Sequence, residues 1–415
     1  MLDLLAIIAW YAGGVGVEHI RPVLFPTEVA LQQYSDRYLQ GIAQQGFPIT
    51  DQGVWVQTAH QLLIDHQGDR PLPAASITKV ATSLAVLANH PADYQFVTRI
   101  GTTGTLSNGT LNGDLVVIGG NDPLFVWEEA MAIAQGLNRL GIRRINGNLV
   151  IVPPFSMNFY PEPSTAADLF KIALDHQRWP ADAQAAYRAH LHGQPRPQLA
   201  IAGTTRIQAS PPANVTLRLE HRSLPLLEIV RQMNIYSNND IADTLAKLAG
   251  GAATVAQIAA AKAQVPPQEI QLINGSGLGV ENRISPRAAC GMLFSLQQEL
   301  AAKNYSLADI LPMAGRDGGT LENRQLPAAT LIKTGSLWNV SALAGVLPTA
   351  KYGTVCFALF NGGGNLWGFR HGQDRYVQHL SQTLQPSQER GAEFQGHAAP
   401  PRFGDPQRIQ VIAAP

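Results

Sequence analysis

A serine and a lysine three positions apart open the apolar run "LPAASITKVATSLAVL", Leu72 to Leu87, and two more short clusters follow along the chain. The three are Ser76-Ile77-Thr78-Lys79, then Ser237-Asn238-Asn239, then Lys333-Thr334-Gly335-Ser336. After Pro73, residues Ile77, Val80, Ala81, Leu84 and Leu87 recur at the spacing of one helix face, which predicts a core helix with Ser76 and Lys79 at its start. Residues i and i+3 share a face, so the Ser76 hydroxyl can reach the Lys79 amine. Serine is a poor nucleophile without an adjacent base. Lysine serves as that base only when burial and a second cation push its pKa towards neutrality, and Lys333 supplies the cation if its strand lies beside the helix. Pro73, near the first turn, places the positive helix end in the same spot. An acyl transfer also needs donors for the developing oxyanion, and the backbone N–H groups of Ser76 and Ser336 are the natural pair. A chain that unites these residues must return to one place twice and house 161 positions (237 − 76) between the first two clusters.

Lysine scarcity sharpens this reading. Only seven of the 30 basic residues are lysine, and two of them sit in these clusters. An isolated S-x-x-K is usually a capping serine and a solvated lysine, but the full ordered set is poorly explained by coincidence. Charged residues make up 14% of the chain and the formal net charge is zero, so neither nucleic acid nor a strong membrane partner is expected. No cofactor or metal is expected either. His190 and His192 form an H-x-H without a third ligand at useful spacing. "NGGGN", Asn361 to Asn365, lacks the Lys-Ser/Thr of a phosphate loop and reads as a turn. Gly275-Ser276-Gly277 lacks G-x-S-x-G spacing and also reads as a turn.

Two cysteines cannot form a disulfide framework, and Cys290, on a helix, and Cys356, on a strand, read as small core hydrophobes that leave the redox compartment open. The amino terminus, "MLDLLAIIAWYAGGVGV", has the apolar length of a signal core but carries Asp3 where a basic region belongs. It reads as a weak export or anchoring signal. "EVALQQYSDRYLQGIAQQ" predicts a helix, and "GVWVQTAHQLLIDHQGD" a hairpin turning near His60. Asn108-Gly109 and Asn112-Gly113 are both hairpin signals. "LNGDLVVIGG" is echoed 34 positions later by "INGNLVIVPP", which predicts a strand pattern repeated within one small domain rather than a solenoid, because only two copies are visible. "LPLLEIVRQMN" and "IADTLAKLAG" predict two helices around "IYSNND", while "TLIKTGSLWNVSALAGVL" and "GTVCFALFNGGG" predict antiparallel strands. From about Gln385 the composition is that of a disordered tail.

The clusters S-x-x-K, S-x-N and K-T-G, in this order, mark penicillin-binding proteins and class A β-lactamases. The blocks around them narrow the likeness. "GVWVQTAHQLLIDHQGDRPLPAASITKVATSLAVL", "LEIVRQMNIYSNNDIADTL", "INGSGLGVENRISPRAA", "LPMAGRDGGTLENR" and "IKTGSLWNVSALAGVLPT" resemble those of the class C low-molecular-mass penicillin-binding proteins, the D-alanyl-D-alanine carboxypeptidase/endopeptidases. The resemblance covers most of residues 53–98 and 224–362. It implies an α+β chain with the serine β-lactamase/penicillin-binding-protein transpeptidase fold, an antiparallel sheet flanked by helices, interrupted by a smaller β-rich inserted domain. The expected divisions are a leader or anchor at 1–20, transpeptidase segments at 21–98 and 204–384, the insert at 99–203, and the tail at 385–415.

By the same resemblance, Ser76 attacks the carbonyl of the penultimate D-alanine and Lys79 accepts its proton. Ser237 protonates the leaving group, and Asn239 bonds the substrate backbone while Asn238 faces away. Lys333 and Thr334 fix the terminal carboxylate. Gly335 belongs to the substrate-binding strand, and Ser336 lends its amide to the oxyanion hole. The implied partners are peptidoglycan stem peptides and, as covalent inhibitors, β-lactams, in the periplasm or otherwise outside the cytoplasm. The oligomeric state is left open. Val152 and Pro153 stand where the family commonly has an acidic residue that recognises the peptide stem, which weakens the expected endopeptidase preference. "RDGGTLENR" carries one glycine more than the family block. A β-lactamase or esterase on the same scaffold and a catalytically silent peptidoglycan-binding protein are the alternatives. The three intact clusters argue against the silent protein.

Overall fold

Strict alternation of side chains builds the central sheet. The computed structural model describes residues 26–387, 391–397 and 400–412, so the run read as a leader or anchor lies outside the described residues. Helix α1 (Pro26–Gln44) leads into the hairpin β1 (Gln52–Gln57) and β2 (Leu62–His66), the short strand β3 (Leu72–Pro73) and helix α2 (Thr78–Asn89). Strands β4 (Val97–Thr102), β5 (Thr105–Ser107), β6 (Thr110–Asn112) and β7 (Leu115–Ile118) follow, then α3 (Trp127–Arg139), β8 (Arg144–Ile145) and β9 (Leu149–Val152). Helices α4 (Pro163–Ala173) and α5 (Ala181–His190) precede β10 (Ala200–Ile201), β11 (Thr205–Ile207) and β12 (Thr216–Arg222). Next come α6 (Leu226–Tyr236), α7 (Asn239–Leu248), α8 (Ala252–Ala263), β13 (Ile270–Gln271), β14 (Arg283–Ile284) and α9 (Pro286–Ala301). The chain finishes with β15 (Leu331–Leu337), β16 (Val340–Thr349), β17 (Gly353–Gly362), α10 (Leu366–Leu384) and β18 (Ile409–Val411).

Five strands pair antiparallel in the order β15-β16-β17-β1-β2. Along β17, Val355, Phe357 and Leu359 face Tyr376, Val377 and Leu380 of α10, while Cys356, Ala358 and Phe360 face the core of α2 and α9. Both faces are covered, so the strand reads as a nearly unbroken apolar run. Helix α2 is buried at every position from Thr78 to Leu87, which is why its sequence is apolar all round. It is the central post of the larger core, and its leading turn lies against edge strand β15.

The cysteines correct the sequence reading. Both are core residues as expected, but α9 packs across β17 and brings Cys290 and Cys356 to a Cα separation of 5.8 Å, where they form a disulfide. In a chain-entropy description, closing a loop of 66 residues stabilises the fold by about 4 kcal/mol.

The inserted region also departs from expectation, for the repeat is a short solenoid. β6, β8 and β10 stack in one parallel ladder, and β7, β9 and β11 in a second. Each rung crosses between the ladders at a glycine: Gly113, Gly147, then Gly203. A Cβ at Gly147 would stand 2.3 Å from the Gly113 carbonyl oxygen, and one at Gly203 2.3 Å from that of Gly147. Rungs are also pinned by side chains, since the Asn148 amide donates to Asp114 at 2.7 Å and the Thr204 amide donates to Asn148 at 3.1 Å. The third copy, "IAGTTRI", keeps the glycine but has lost the aliphatic run that makes the first two visible. Asn108-Gly109 forms the β5–β6 turn with both residues at positive φ, whereas Asn112-Gly113 is a corner between sheets and not a hairpin.

The described residues of the tail are ordered, contrary to their composition. β18 pairs with β12 at the edge of the second sheet, and Phe394 is buried in the larger core. The Arg408 guanidinium meets Glu129 at 2.6 Å and donates to the Arg222 carbonyl at 2.8 Å. Low-period, proline-punctuated sequence carries no sign of such anchors, because the anchoring carboxylate lies 279 residues away.

Candidate active site

The nucleophile cluster sits on a tight turn. A single 3-10 turn, Ala75–Ile77, feeds α2, and Ala75 adopts the left-handed region at φ 47°. Room for this turn comes from Gly277, where a Cβ would stand 1.8 Å from the Ala75 carbonyl oxygen. Lys79 Nζ then meets three oxygens: Ser76 Oγ at 2.9 Å, Asn239 Oδ1 at 2.8 Å and the Ser276 carbonyl at 2.7 Å. Two of these accept only. A neutral amine has two N–H donors and one lone pair, so satisfying both acceptors leaves the lone pair for the Ser76 hydroxyl. Burial pushes the Lys79 pKa down to about 7, against the opposing pull of Asp243. Asp243 also accepts the Gly275 amide at 3.0 Å, tying α7 to the turn that carries Ser276.

A second hydroxyl–amine pair lies opposite. Ser237 joins α6 to α7 in the left-handed region, φ 55°, and its Oγ is 2.9 Å from Lys333 Nζ. Lys333 is fully buried and also donates to the Thr334 carbonyl at 2.9 Å. Burial, and then the Lys79 charge, hold its pKa well below the ordinary lysine value. Asn238 points away and caps α7 by accepting the Ile241 amide at 2.9 Å. Gly335 lets β15 approach the nucleophile turn: a Cβ there would stand 2.7 Å from the Ala74 carbonyl oxygen and 3.1 Å from the Ser76 amide nitrogen.

Ser76, Ser237, Asn239, Thr334 and Ser336 all line one cleft of about 910 Å³, and Lys79 and Lys333 lie buried beneath it. Its outer wall is the loop 319–325 together with Trp367, Arg370, His371 and Asp374 of α10. Sequence reasoning missed Ser276, Asp243 and Arg370. Ser276 contributes its carbonyl, which no residue type encodes, and the sequence showed only a turn there. Nothing in "GFRHGQD" singled out Arg370.

The D-Ala-D-Ala carboxypeptidase 3 (S13) family matches residues 38–155 and 174–382. The D-alanyl-D-alanine carboxypeptidase DacB of Haemophilus influenzae is 25% identical over 403 residues, covering 73% of this chain and 83% of its own length. A carboxypeptidase DacB of Mycolicibacterium smegmatis is 26% identical over 346 residues, covering 71% of this chain and 72% of that protein. Among solved structures, a penicillin G-acylated predatory endopeptidase of Bdellovibrio bacteriovorus, in complex with an immunity protein, superposes with a TM-score of 0.73 at 24% identity, covering 87% of this chain and 99% of that one. Penicillin binding protein 4 of Haemophilus influenzae gives a TM-score of 0.63 at 18% identity, covering 84% and 99%. The fold is therefore that of the penicillin-binding proteins, with helices on both faces of an antiparallel sheet and an additional domain.

Proposed function

The chain belongs to the D-Ala-D-Ala carboxypeptidase 3 (S13) family of class C low-molecular-mass penicillin-binding proteins, and from that membership we propose how its residues divide the work. It is a serine DD-peptidase of the carboxypeptidase and endopeptidase class, and its proposed substrates are the D-alanyl-D-alanine bonds of peptidoglycan stem peptides. Lys79 takes the Ser76 proton as Oγ bonds to the carbonyl carbon of the penultimate D-alanine. The displaced electron pair rests on the carbonyl oxygen, towards the Ser76 and Ser336 amides. Collapse breaks the C–N bond, and the departing amine takes a proton from Ser237, which is made good, by way of Lys333, with the proton that Lys79 took, so that Lys79 is a neutral amine again. Water then gives a proton to Lys79 as it adds to the ester carbonyl, and collapse of that adduct breaks the C–O bond to Ser76, whose oxygen takes the proton back from Lys79.

One observation carries this reading: Lys79 Nζ has two carbonyl oxygens at 2.8 and 2.7 Å and Ser76 Oγ at 2.9 Å, in a site that brings its pKa to about 7. Penicillin is expected to add covalently to Ser76 and not to a Ser76→Ala variant, with intact mass as the readout. Release of D-alanine from a model peptide, set beside cleavage of cross-linked muropeptides, measures the balance of carboxypeptidase and endopeptidase activity. A folded parent protein that gains no mass after prolonged exposure would refute the proposal, and rapid turnover of a chromogenic cephalosporin would move it to the β-lactamases.

Action outside the cytoplasmic membrane fits this substrate, and the Cys290–Cys356 disulfide fits an oxidising compartment. Among the described residues, no helix is long and apolar enough to cross a membrane.

A further inference from the structure

We propose that Arg370 is the cation that reads the anionic carboxyl end of the ligand in this cleft, acting directly and through the hydroxyl of Ser336. The inference rests on the DD-peptidase reading above and changes one part of it, the source of the positive charge.

The family resemblance gives that task to Lys333 together with Thr334, but the fold hides the Lys333 charge. Lys333 is fully buried, and its Nζ is engaged by Ser237 Oγ and the Thr334 carbonyl, both at 2.9 Å. It lies under the cleft wall, where it can exchange a proton with Ser237 but presents no charge at the surface. What β15 offers a ligand directly is two uncharged hydroxyls, Thr334 and Ser336. Two arginines also line the cleft. Arg324 is committed, paired at 2.7 Å with Asp374 where both side chains are 7% exposed. Arg370 is exposed, and among the described residues its one hydrogen bond is from Nη2 to Ser336 Oγ, at 2.9 Å. Among the described residues no carboxylate pairs with it.

The direction of that bond matters. A guanidinium only donates, so Ser336 Oγ must accept, which leaves the serine proton free to point into the cleft. The remaining Arg370 N–H groups and the Ser336 O–H then form neighbouring donors suited to the two oxygens of one carboxylate. The guanidinium is also well placed. Arg370 lies one turn before Asp374 on α10, a helix locked to the sheet by Gln373, which donates to the Ser341 carbonyl at 3.0 Å and to Asn361 at 2.8 Å. An otherwise uncommitted cation on a rigid helix, beside the hydroxyls of the binding strand, is a carboxylate anchor.

The test compares an N-acetylated tripeptide ending in D-Ala-D-Ala with its C-terminal carboxamide, on the parent enzyme, Arg370→Ala and Arg370→Lys. Loss of a charge-assisted bond to a carboxylate lowers kcat/KM on the free acid by about 10- to 100-fold. The carboxamide should change by less than about 3-fold, and Arg370→Lys should recover part of the loss. Equal losses on both ligands would mean that Arg370 merely supports the wall, and an unchanged rate on the free acid would also overturn the inference. A parent enzyme inert to both peptides and to penicillin would instead bring down the DD-peptidase reading, and this role with it. Each variant is checked for an unshifted melting temperature, as expected for an exposed side chain with one hydrogen bond.

Discussion

In the proposed mechanism Lys79 is the base, and its surroundings leave it little alternative. Its folded pKa of about 7 lies below the roughly 10.4 of an unfolded lysine, since burial disfavours the ammonium. Only the neutral amine can take the Ser76 proton, so the rate of penicillin acylation should rise with pH up to about 7 and fall about tenfold per unit below it. A flat rate between pH 5 and 9 would exclude Lys79 as the base. The same displacement affects stability, with a fixed sign. Between about pH 7 and 10 the unfolded chain binds the extra proton, so stability climbs across that window, and the burden of burying the ammonium is fully present below it. A Lys79→Met variant should lose this slope in melting temperature while acylation drops by about 10²- to 10⁴-fold. At this scale the sequence was informative about Ser76, Lys79, Ser237 and Lys333, which the fold brings together in two hydroxyl–amine pairs. It was silent on the Ser276 carbonyl and on Arg370, because a backbone oxygen has no letter and a lone surface arginine has many uses.

Among the elements, edge strand β15 decides how well the two amides of the proposed oxyanion site converge. Gly335 is the position where it passes the nucleophile turn, with no room for a methyl group between it and the Ala74 carbonyl. Gly335→Ala should therefore push the strand outward and lower acylation by about 10²- to 10³-fold, comparable to losing one oxyanion donor, while far-ultraviolet circular dichroism stays unchanged. An acylation rate within about 3-fold of the parent would show that the strand can yield. The elements themselves were largely readable. The hairpin near His60 and the helix after Pro73 carry clear periods, and the strands around Cys356 read as apolar, β-branched runs. The rung stack was not, since its third copy keeps the glycine corner but not the hydrophobic pattern, and parallel pairing across 34 residues leaves no local trace.

The whole molecule is held by contacts that close very long loops. Glu129 is buried in the inserted region. Burial alone would raise its pKa, but the His221 hydrogen bond and the Arg408 charge outweigh this and hold it at about 2. The stabilisation it brings is present above the ordinary glutamate value and is lost as pH falls towards 2. Arg408→Ala removes one partner of this buried pair, and a cost of about 3–5 kcal/mol is expected, read as a lower midpoint in urea. Acylation of the folded variant at 25 °C should remain within about 2-fold, because Arg408 lies outside the cleft lining. An unchanged midpoint would mean that β18 is an ornament on the sheet edge.

Local order and chemical type were determined by sequence alone. Helices and strands follow from the pattern of their apolar residues, and a serine within reach of a lysine three positions away follows from helix geometry. Tertiary structure decided everything that depends on distant segments becoming neighbours. It brought together as a disulfide two cysteines that look like ordinary core residues, and it anchored the described residues of a tail whose composition suggested no order. It also buried one lysine of the binding strand and left an arginine on the last long helix facing the cleft. The physical reason is that burial, and with it charge state, is set by what packs around a residue, and those partners lie as much as 341 positions away.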